Sequence, residues 1–557
     1  MEGIAQKDTA RGGPPESVPH KNRGKRTVVL IVLVFLSALT VRLVYLSSFH
    51  ESPYYDVTIL DGTDSFNYFK WGVNTAMSDG LEGVFPQSPL YHYFLALIFK
   101  FTGGGHLFAP RLAQSLIGAI VAVMVFFLGR EIRGDTAGVA AALIFSFHGP
   151  MVFYELTLMR TGLIVFLNTL LVLLMIVCQK KGRTSFFPIA GFVFGLSLIA
   201  KPNIGIMLLA FPAWLYLTEA PGGNKQRFLM VISFSAGLML SFSPVLVRNH
   251  KQGLPLLSMT ERGPLELIVG NHPENPPHLW QPNRKMYELY RESGDSAVRA
   301  VFTVFKLYSD DPAGFIEKQM SKAGAFFSGY ESPNSFNYYV EREYVPSLKY
   351  AFINWPALLG PCLVGLFLFR KRWKEHLPMW SYLVLYSGAT IGFYVLARFR
   401  LPLVPVMAAF SGAALIELFS LLLKGRWKTA LAAAAVAATI SAFSMPGNID
   451  PIQPTDYRNV ARVHLIKGEH EKARSFVLLG LVNAEKLAIT RDDAWSHYCL
   501  ARMLFLSGAP LEDVDEELSI ALERDPEPWL RAFTGYLSNS VERARESGDP
   551  TTFGFRL

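Results

Sequence analysis

The stretch KNRGKRTVVLIVLVFLSALTVRLVYL, residues 21–46, decides the class of fold. A basic flank precedes an apolar core that is long enough for a transmembrane helix, which needs about 20 residues. The apolar part of a cleavable signal peptide is shorter than this core. We therefore expect a retained signal-anchor helix that follows a basic cytoplasmic segment, residues 1–26.

Apolar runs like this one recur along the chain as far as residue 445. Of the 557 residues, 51% are hydrophobic and only 18% are charged, and the mean hydropathy is +0.26. This composition predicts an all-α, polytopic membrane protein. We expect about eleven transmembrane helices, at residues 27–48, 109–129, 137–155, 158–178, 186–200, 203–218, 227–247, 350–369, 378–396, 401–423 and 428–445.

The basic residues lie in short clusters between the apolar runs, so the net charge of +8 does not indicate a nucleic-acid partner. The clusters KNRGKR, REIR, QKKGR, NKQR, RKRWK and KGRWK all fall on one side of this threading, which indicates the cytoplasm. Two loops, 49–108 and 248–349, and a tail then face outward. Within the first loop, residues 89–101 are apolar but short, which predicts an interfacial or re-entrant helix. In the second loop we expect a few short helices around PAGFIEKQMSKAGAFF, over the membrane domain.

The tail, residues 446–557, has a different pattern. NVARVHLIKGEHEKARSFVLLGL and AWSHYCLARMLFLSGAPLEDVDEELSIALERDP are amphipathic helical sequences that resemble tetratricopeptide repeats. Fewer than three such repeats are rarely stable alone, so we expect the tail to lean on the membrane domain. Ordinary amphipathic helices are the alternative interpretation. A repeat domain on the outer face would offer a surface for a protein partner.

Polar residues cluster at the outer ends of the predicted spans. Taken singly, a Lys or Arg there commonly reaches to lipid headgroups, and an Asp in a loop is commonly solvated or a helix cap. Together they suit a substrate that carries an anionic phosphate at headgroup depth, because cations would hold the phosphate while a carboxylate deprotonates an acceptor. The residues of this set are Asp61, Asp64, His148, Tyr154, Glu155, Arg160, Lys201, Arg248, Arg398 and Arg400.

Several local patterns occur in one order along residues 28–425. They are DSFNY, FPQSPLYHYFLALIFKFTGG, RLAQSLIGA, HGPMVFYELTLMR, GLSLIAKPN, SPVLVRNH, LIVGNHPENP, FFSGYESPNSFNYY and ARFRLPLVP. In this order they resemble the bacterial GT-C glycosyltransferases, polytopic enzymes related to protein mannosyltransferases and aminoarabinose lipid A transferase. The chain contains no Gly-rich nucleotide loop, which also favours a lipid-linked sugar donor over a sugar nucleotide.

The resemblance implies a catalytic membrane domain at residues 27–445 in a bacterial inner membrane. Such an enzyme transfers a sugar from a polyprenyl phosphate or diphosphate to a protein, lipid or envelope-glycan acceptor on the outer face, with inversion. By position, Asp64 would be the catalytic base, and Glu155 would orient the acceptor or bind a divalent metal. Lys201, Arg398, Arg248 and Arg400 would bind the donor phosphate. Other candidates for the cavity are Asp61, Tyr68, His148, Arg160 and Glu331.

One position departs from the family pattern. Many relatives carry a second acid directly after the first, whereas this chain has Ser65 there and Asp61 three residues before Asp64. Asp61 is therefore an alternative base, and metal dependence stays open.

Two other function classes compete with a transferase. A transporter or flippase of lipid-linked glycans would be expected to place charges near the bilayer midplane and to show internal repeats. The charges here collect at one face, and the two halves show no similarity. A membrane-anchored repeat scaffold would explain the tail but would leave the ordered outer-face patterns unexplained.

Overall fold

The computed structural model describes residues 20–60, 63–77, 83–257, 260, 262–280, 282–294, 296–447, 452–524 and 528–547. Most of these residues are helical and, apart from two isolated backbone bridges, none of them forms β-structure. The predicted all-α class is confirmed over these ranges. Most of the predicted cytoplasmic segment 1–26 lies outside them.

The first half of the chain contains ten α-helices. They are α1 (His20–Ser48), α2 (Asp64–Met77), α3 (Leu90–Thr102), α4 (Phe108–Arg133), α5 (Asp135–Ser146), α6 (Gly149–Leu156), α7 (Thr161–Lys181), α8 (Phe187–Ala200), α9 (Phe211–Leu217) and α10 (Gly223–Lys251). Short 3-10 helices lie at Phe49–Glu51, Val57–Ile59, Thr184–Phe186 and Pro202–Ala210. A single residue, Gly134, joins α4 to α5, and its φ of +84° is a backbone conformation that favours glycine.

The second outer loop contains α11 (Arg262–Asn271), α12 (Arg284–Ser293), α13 (Ala297–Leu307), α14 (Pro312–Phe327) and α15 (Tyr338–Tyr344), and then the 3-10 helix Pro346–Tyr350. The chain returns to the bundle through α16 (Trp355–Phe369), α17 (Leu377–Gly392), α18 (Ala397–Arg400), α19 (Val404–Leu423) and α20 (Trp427–Phe443), with 3-10 turns at Arg370–Arg372 and Leu401–Leu403. Short helices over the bundle were expected in this loop, and the sequence around α14 is helical as predicted.

All eleven predicted spans coincide at least in part with helical segments. Among the described residues, five segments are long and apolar enough to cross a membrane by length and composition: Gly24–Glu51, Phe108–Arg133, Thr161–Lys181, Gly223–Lys251 and Ala397–Leu423. The multi-pass, helical character of the protein is therefore confirmed. The number of eleven crossings stays a prediction.

The predicted span 137–155 is not one continuous helix. α5 ends at Ser146 and α6 begins at Gly149, because the backbone between them pairs with a distant residue. The amide of Gly149 donates to the carbonyl of Ile353 at 2.8 Å, and the amide of Ile353 donates to the carbonyl of Phe147 at 2.9 Å. All eight residues of α6 are buried. The predicted span 203–218 is likewise a 3-10 helix followed by the short α9.

Small residues let α4, α5 and α19 pack with their backbones in contact. A Cβ added at Gly129 of α4 would lie 2.8 Å from the carbonyl oxygen of Ala137 in α5. A Cβ at Gly412 of α19 would lie 2.8 Å from the Cα of Ala141, also in α5. Close backbone approach of this kind is typical of helix packing in membranes. This packing fixes α19 against α4 and α5. It also fixes α18, which the 3-10 turn Leu401–Leu403 joins to α19.

The tail forms α21 (Pro454–Ile466), α22 (His470–Arg491), α23 (Ala494–Ser507), α24 (Leu511–Arg524) and α25 (Pro528–Ser547). α21 docks on the second outer loop, where the carboxylate of Asp456 accepts a 2.8 Å hydrogen bond from the side-chain amide of Asn337. The imidazole of His464 stacks on Phe476 of α22 and lies against Tyr344 of the loop. The tail therefore leans on the rest of the chain, as predicted. Its tetratricopeptide character stays a prediction.

Candidate functional site

The carboxylate of Asp64 is held by side chains from three distant parts of the chain. Asp64 is the first residue of α2, and its Oδ2 lies 2.6 Å from the guanidinium of Arg398 in α18. Its Oδ1 accepts a 2.7 Å hydrogen bond from Gln87 and lies 3.9 Å from the guanidinium of Arg262 in α11. Only 12% of the Asp64 side chain is exposed. The sequence prediction that Asp64 and Arg398 belong together is thus consistent with the geometry.

These neighbours decide the charge state of Asp64. Burial raises the pKa of its carboxyl, but the positive charges of Arg398 and Arg262 and the hydrogen bond from Gln87 outweigh burial and lower that pKa to about 2. Near neutral pH the pair is therefore fully ionised, and Asp64 in this arrangement is a weak base.

Tyr68 lies one helical turn after Asp64 and is connected to it through Gln87. The Tyr68 hydroxyl donates to the side-chain oxygen of Gln87, whose amide nitrogen donates to Asp64. The Tyr68 ring packs edge-on against Trp71 and Tyr91, with centroids 5.6 Å and 5.0 Å away. Burial raises the pKa of Tyr68 to about 12, so its hydroxyl stays a donor. The four-residue spacing seen in the sequence therefore serves a hydrogen-bonded chain that orients the carboxylate.

A cavity adjoins this group, with about 90 Å³ open to water. Two of the predicted cations, Arg160 and Lys201, line it, and the ammonium of Lys201 lies 3.4 Å from the centre of the Phe399 ring. Gln87 and Arg262, which both contact Asp64, also form part of its wall. The complete lining is Gln87, Ser88, Arg160, Lys201, Pro202, Asn203, Thr260, Arg262, Gly263, Glu266, Ala389, Thr390, Phe393 and Phe399. Burial and the neighbouring Arg160 lower the pKa of Lys201. Arg160 and Arg262 alone outweigh the single carboxylate, Glu266, so the lining has a net positive charge, which suits an anionic ligand.

Ser65 occupies the position at which many relatives carry a second acid. Its hydroxyl donates to the carbonyl of Thr157, and the residue is completely buried. Ser65 therefore anchors the start of α2 to the chain just after α6. The alternative acid, Asp61, lies outside the described residues.

Glu155, the second predicted acid, is paired elsewhere. Its carboxylate oxygens lie 2.6 Å and 2.9 Å from the guanidinium of Arg42 in α1. Arg42 is 0% exposed and Glu155 1% exposed. Gly118 of α4 covers the pair, and a Cβ added there would lie 2.6 Å from both Glu155 oxygens. The structure thus does not bring Glu155 to Asp64, and its predicted role toward acceptor or metal stays a prediction.

Two further predicted residues form a second buried pair that stabilises the outer loop. The guanidinium of Arg400 donates to the carbonyls of Phe326 and Tyr330, at 2.9 Å each, and to Glu331 at 3.1 Å. It also lies over the ring of Trp355, 4.4 Å from its centre. Arg400 lines a second cavity, beside His278 and Tyr330, and its carboxylate partner is Glu331 rather than Asp64.

Arg248 and His148 also lie away from the Asp64 group. The guanidinium of Arg248 donates to the carbonyl of Gly83 at 2.7 Å and covers the ring of Phe85. His148 caps α6, where its Nδ1 accepts from the amide of Met151 at 3.2 Å. Their predicted roles in the donor or acceptor site are not tested by these contacts.

The side chains around Asp64 do not form a typical divalent-metal site. Its close neighbours are two guanidinium groups and one amide, whereas such cations prefer several oxygen ligands with negative charge. Across the residues that the structure describes, no group of three or more His, Cys, Asp or Glu side chains is arranged to hold a metal ion.

Sequence reasoning missed Gln87 and Arg262. Gln87 lies inside one of the recognised patterns, FPQSPLYHYF, but an amide among aromatic residues gave no signal of a contact with Asp64. Arg262 lies in the long second loop, where the sequence contains many charged residues. Only the fold identifies it as a partner of the carboxylate, because it brings the Arg262 guanidinium to 3.9 Å from Asp64.

Part of the chain resembles a known protein family. The family model described as dolichyl-phosphate-mannose-protein mannosyltransferase matches residues 86–247, less than a third of the chain. That segment contains Gln87, Arg160 and Lys201 of the cavity wall. A search of curated protein sequences finds no significant match.

The chain is also similar to a number of solved structures, two of which follow. One is the oligosaccharyltransferase AglB of Archaeoglobus fulgidus in complex with an inhibitory peptide and a dolichol-phosphate, at 14% identity and a TM-score of 0.45. This likeness covers 79% of the chain, which spans 58% of the archaeal chain. The other is ArnT from Cupriavidus metallidurans bound to undecaprenyl phosphate, at 14% identity and a TM-score of 0.38, covering 95% of this chain and 77% of that one. Both TM-scores are too low to establish a common fold. The match to the family model supports the predicted resemblance to GT-C glycosyltransferases over its own segment.

We predict that Gly118→Ala destabilises the protein. The added methyl group would have to displace the buried pair of Arg42 and Glu155, and overpacking of this kind costs about 1–3 kcal/mol. The measurement is the midpoint of thermal unfolding in detergent. The matched control is Gly388→Ala in α17, where an added Cβ meets no atom within 4 Å. Equal midpoints for the two variants would contradict the position of the ion pair against Gly118.

Proposed function

We propose that the chain is a membrane glycosyltransferase of the GT-C type, which transfers a sugar from a polyprenyl-phosphate donor to an acceptor on the outer face of a bacterial inner membrane. One observation carries this proposal: an ionised, nearly buried carboxylate, Asp64, is held by Arg398 and Arg262 beside a cavity with a net positive charge, and Arg262 forms part of the cavity wall. A base beside cations is what transfer from a lipid phosphate requires. The family match at residues 86–247 supports the same class of donor.

The cations of the cavity are suited to the donor phosphate. Arg160, Lys201 and Arg262 line the cavity together, and charged hydrogen bonds to phosphate oxygens are about twice as strong as neutral ones. The cavity floor also includes the ring of Phe399, against which Lys201 and Arg398 both lie. These cations would neutralise the negative charge of a phosphate in this position as it leaves the sugar.

The ion pair explains how Asp64 becomes a base only when the donor is present. In the free protein, Arg398 and Arg262 lower the pKa of Asp64 to about 2, so the carboxylate has little tendency to take a proton. A donor phosphate competes with Asp64 for these two guanidinium groups. When the two guanidinium groups bind the phosphate instead of Asp64, the pKa of Asp64 rises toward its ordinary value.

The proposed transfer is a single displacement at the anomeric carbon. The acceptor hydroxyl or amide attacks the anomeric carbon, and Asp64 takes the proton that this group loses. The bond from the anomeric carbon to the phosphate oxygen breaks, and its electron pair leaves with the polyprenyl phosphate. Attack opposite to the leaving group inverts the anomeric carbon. Lys201, Arg160 and Arg262 stabilise the charge of the leaving phosphate.

The proposal includes the predicted organisation of the chain. Residues 27–445 form the catalytic membrane domain, the N-terminus is cytoplasmic, and residues 446–557 form a periplasmic helical domain. The contact between Asp456 and Asn337 supports a fixed position of this tail over the second outer loop. From there the tail would bind a protein acceptor or a partner enzyme.

We predict that Asp64→Asn abolishes sugar transfer, because an amide cannot take the acceptor proton. Loss of a general base lowers turnover by about 10²–10⁴-fold. The measurement is formation of the glycosidic bond by the purified protein in detergent, with donor lipid extracted from the producing membranes. The control is Asp310→Asn, an exposed acid between α13 and α14.

Two outcomes of this assay would count against the proposal. Normal turnover by Asp64→Asn would move the base to Asp61 or Glu155. A wild-type protein that moves the lipid-linked glycan across vesicle membranes but forms no new glycosidic bond would instead be a transporter.

We predict that Lys201→Gln and Arg262→Gln weaken donor binding. Each removes a charged hydrogen bond to phosphate, which contributes about 1.5–3 kcal/mol, or roughly tenfold to a hundredfold in Kd. The measurement is equilibrium binding of undecaprenyl phosphate to the purified variants. Arg130→Gln is the control, because Arg130 lies at the C-terminal end of α4, where it pairs with Asp135. If the two cavity variants bind as the control does, the phosphate does not occupy this cavity.

A further inference from the structure

α13 is amphipathic. The side chains on the face that packs on the protein are smaller than the apolar side chains on the exposed face. Ala300 and Val304 are buried in a small apolar cluster with α11 and α12. The opposite side carries a row of large apolar residues at helical spacing, with the exposed fractions 66% for Val298, 41% for Val301, 68% for Phe302 and 58% for Phe305. Residues three and four apart share one face of a helix, so these four form a continuous stripe.

α14 buries its two lysines and exposes large apolar residues, and its acid Glu317 is exposed as well. Its lysines point inward: Lys318 donates to the carbonyl of Asn275, and Lys322 is 0% exposed. Its large apolar residues point outward, with Ile316 60% exposed and Met320 69% exposed. Buried lysines beneath exposed apolar side chains indicate a helix whose outer surroundings are not water.

Three contacts place the C-terminal half of α14 at the outer end of the membrane bundle. The ammonium of Lys322 donates to the carbonyl of Gly392, the last residue of α17, at 3.3 Å. The ring of Phe326 packs edge-on against Trp355, the first residue of α16. The amide of Gly329 donates to the carbonyl of Ser444, directly after α20. α14 therefore lies across the level at which three bundle helices end.

α13 is joined to α14 at the same level. The ring of Phe315 in α14 lies 5.9 Å from that of Phe305 and 5.4 Å from that of Tyr308 at the end of α13. The apolar surfaces of the two helices therefore belong to one patch. An apolar patch that continues outward from the ends of transmembrane helices lies at the depth where headgroups meet acyl chains.

We infer that α13 and α14 form a membrane-inserted wing whose exposed side chains, Val298, Val301, Phe302, Phe305, Ile316 and Met320, are embedded in the acyl chains of the outer leaflet. This inference rests on the packing of the two helices and does not depend on the proposed reaction. Burial of apolar surface in the bilayer stabilises such a wing.

The wing is connected to both sides of the cavity beside Asp64. α11 carries Arg262 on its cavity side, while its residue Leu265 packs against α13. Lys322 of α14 donates to the carbonyl of Phe393, whose side chain also lines the cavity. Insertion of the wing therefore sets the height of these two cavity walls relative to the lipid headgroups, which is the height at which a lipid-linked donor would present its phosphate.

Spin labels on the full-length protein test this inference directly. The three native cysteines, all buried, are replaced by alanine, and a nitroxide is attached at Phe302→Cys or Met320→Cys. The matched control is Glu292→Cys, an exposed position on the neighbouring α12. The protein is reconstituted in vesicles of phosphatidylethanolamine and phosphatidylglycerol. We expect the logarithm of the ratio of oxygen collisions to nickel-chelate collisions to be positive at 302 and 320 and negative at 292.

Two results would overturn the inference. Nickel collisions at 302 and 320 equal to those at 292 would show that the patch faces water. Protection from both oxygen and nickel, with an immobilised nitroxide, would show that a second protein chain covers it. Should the cysteine variants fail to fold, the unmodified protein is photolabelled in the same vesicles with a lipid that carries a diazirine in its acyl chain. Label within residues 297–327 and not within 284–293 supports the wing, and the absence of label there contradicts it.

Discussion

The ion pair between Asp64 and Arg398 is the constraint on which the candidate site depends. It joins the first residue of α2 in the first outer loop to α18, which directly precedes the bundle helix α19. A carboxylate with so little exposure stays ionised only if cations are held next to it. The glycine-mediated packing of α4, α5 and α19 fixes the position of α18, and the bond from Ser65 to Thr157 fixes the start of α2. The packing of the bundle thus determines the charge state of the proposed base.

The same guanidinium groups serve two anions in this account. Arg398 and Arg262 hold Asp64 in the free protein, and a donor phosphate competes for them when it binds. The competition links the two halves of the proposed chemistry, because the base gains proton affinity at the moment at which the leaving group becomes neutralised. Gln87 keeps the carboxylate oriented throughout, through its bonds to Asp64 and Tyr68. The two other buried pairs lie elsewhere: Arg42 with Glu155 joins α1 to α6, and Arg400 with Glu331 joins α18 to the second outer loop.

Much of the fold and part of the site could be predicted from the sequence. Long apolar runs and basic clusters predicted the helices, since their signal is local. Asp64, Arg160, Lys201 and Arg398 were found because charges at the end of apolar runs are costly and therefore conspicuous. Long-range partners were not predictable: Ile353 interrupts the helix over the third predicted span, and Arg42 pairs with Glu155. The burial of the two α14 lysines was also hidden, because they donate to backbone carbonyls of other segments.

The affinity of the Asp64→Asn variant for undecaprenyl phosphate tests the central claim most directly. If Asp64 and the donor phosphate compete for Arg398 and Arg262, removal of the carboxylate charge frees both cations. We expect Asp64→Asn to bind the lipid phosphate more tightly than the wild type, by about tenfold or more, since one pKa unit corresponds to a factor of ten in affinity. Equal or weaker binding by this variant would show that Asp64 and the phosphate do not compete for Arg398 and Arg262.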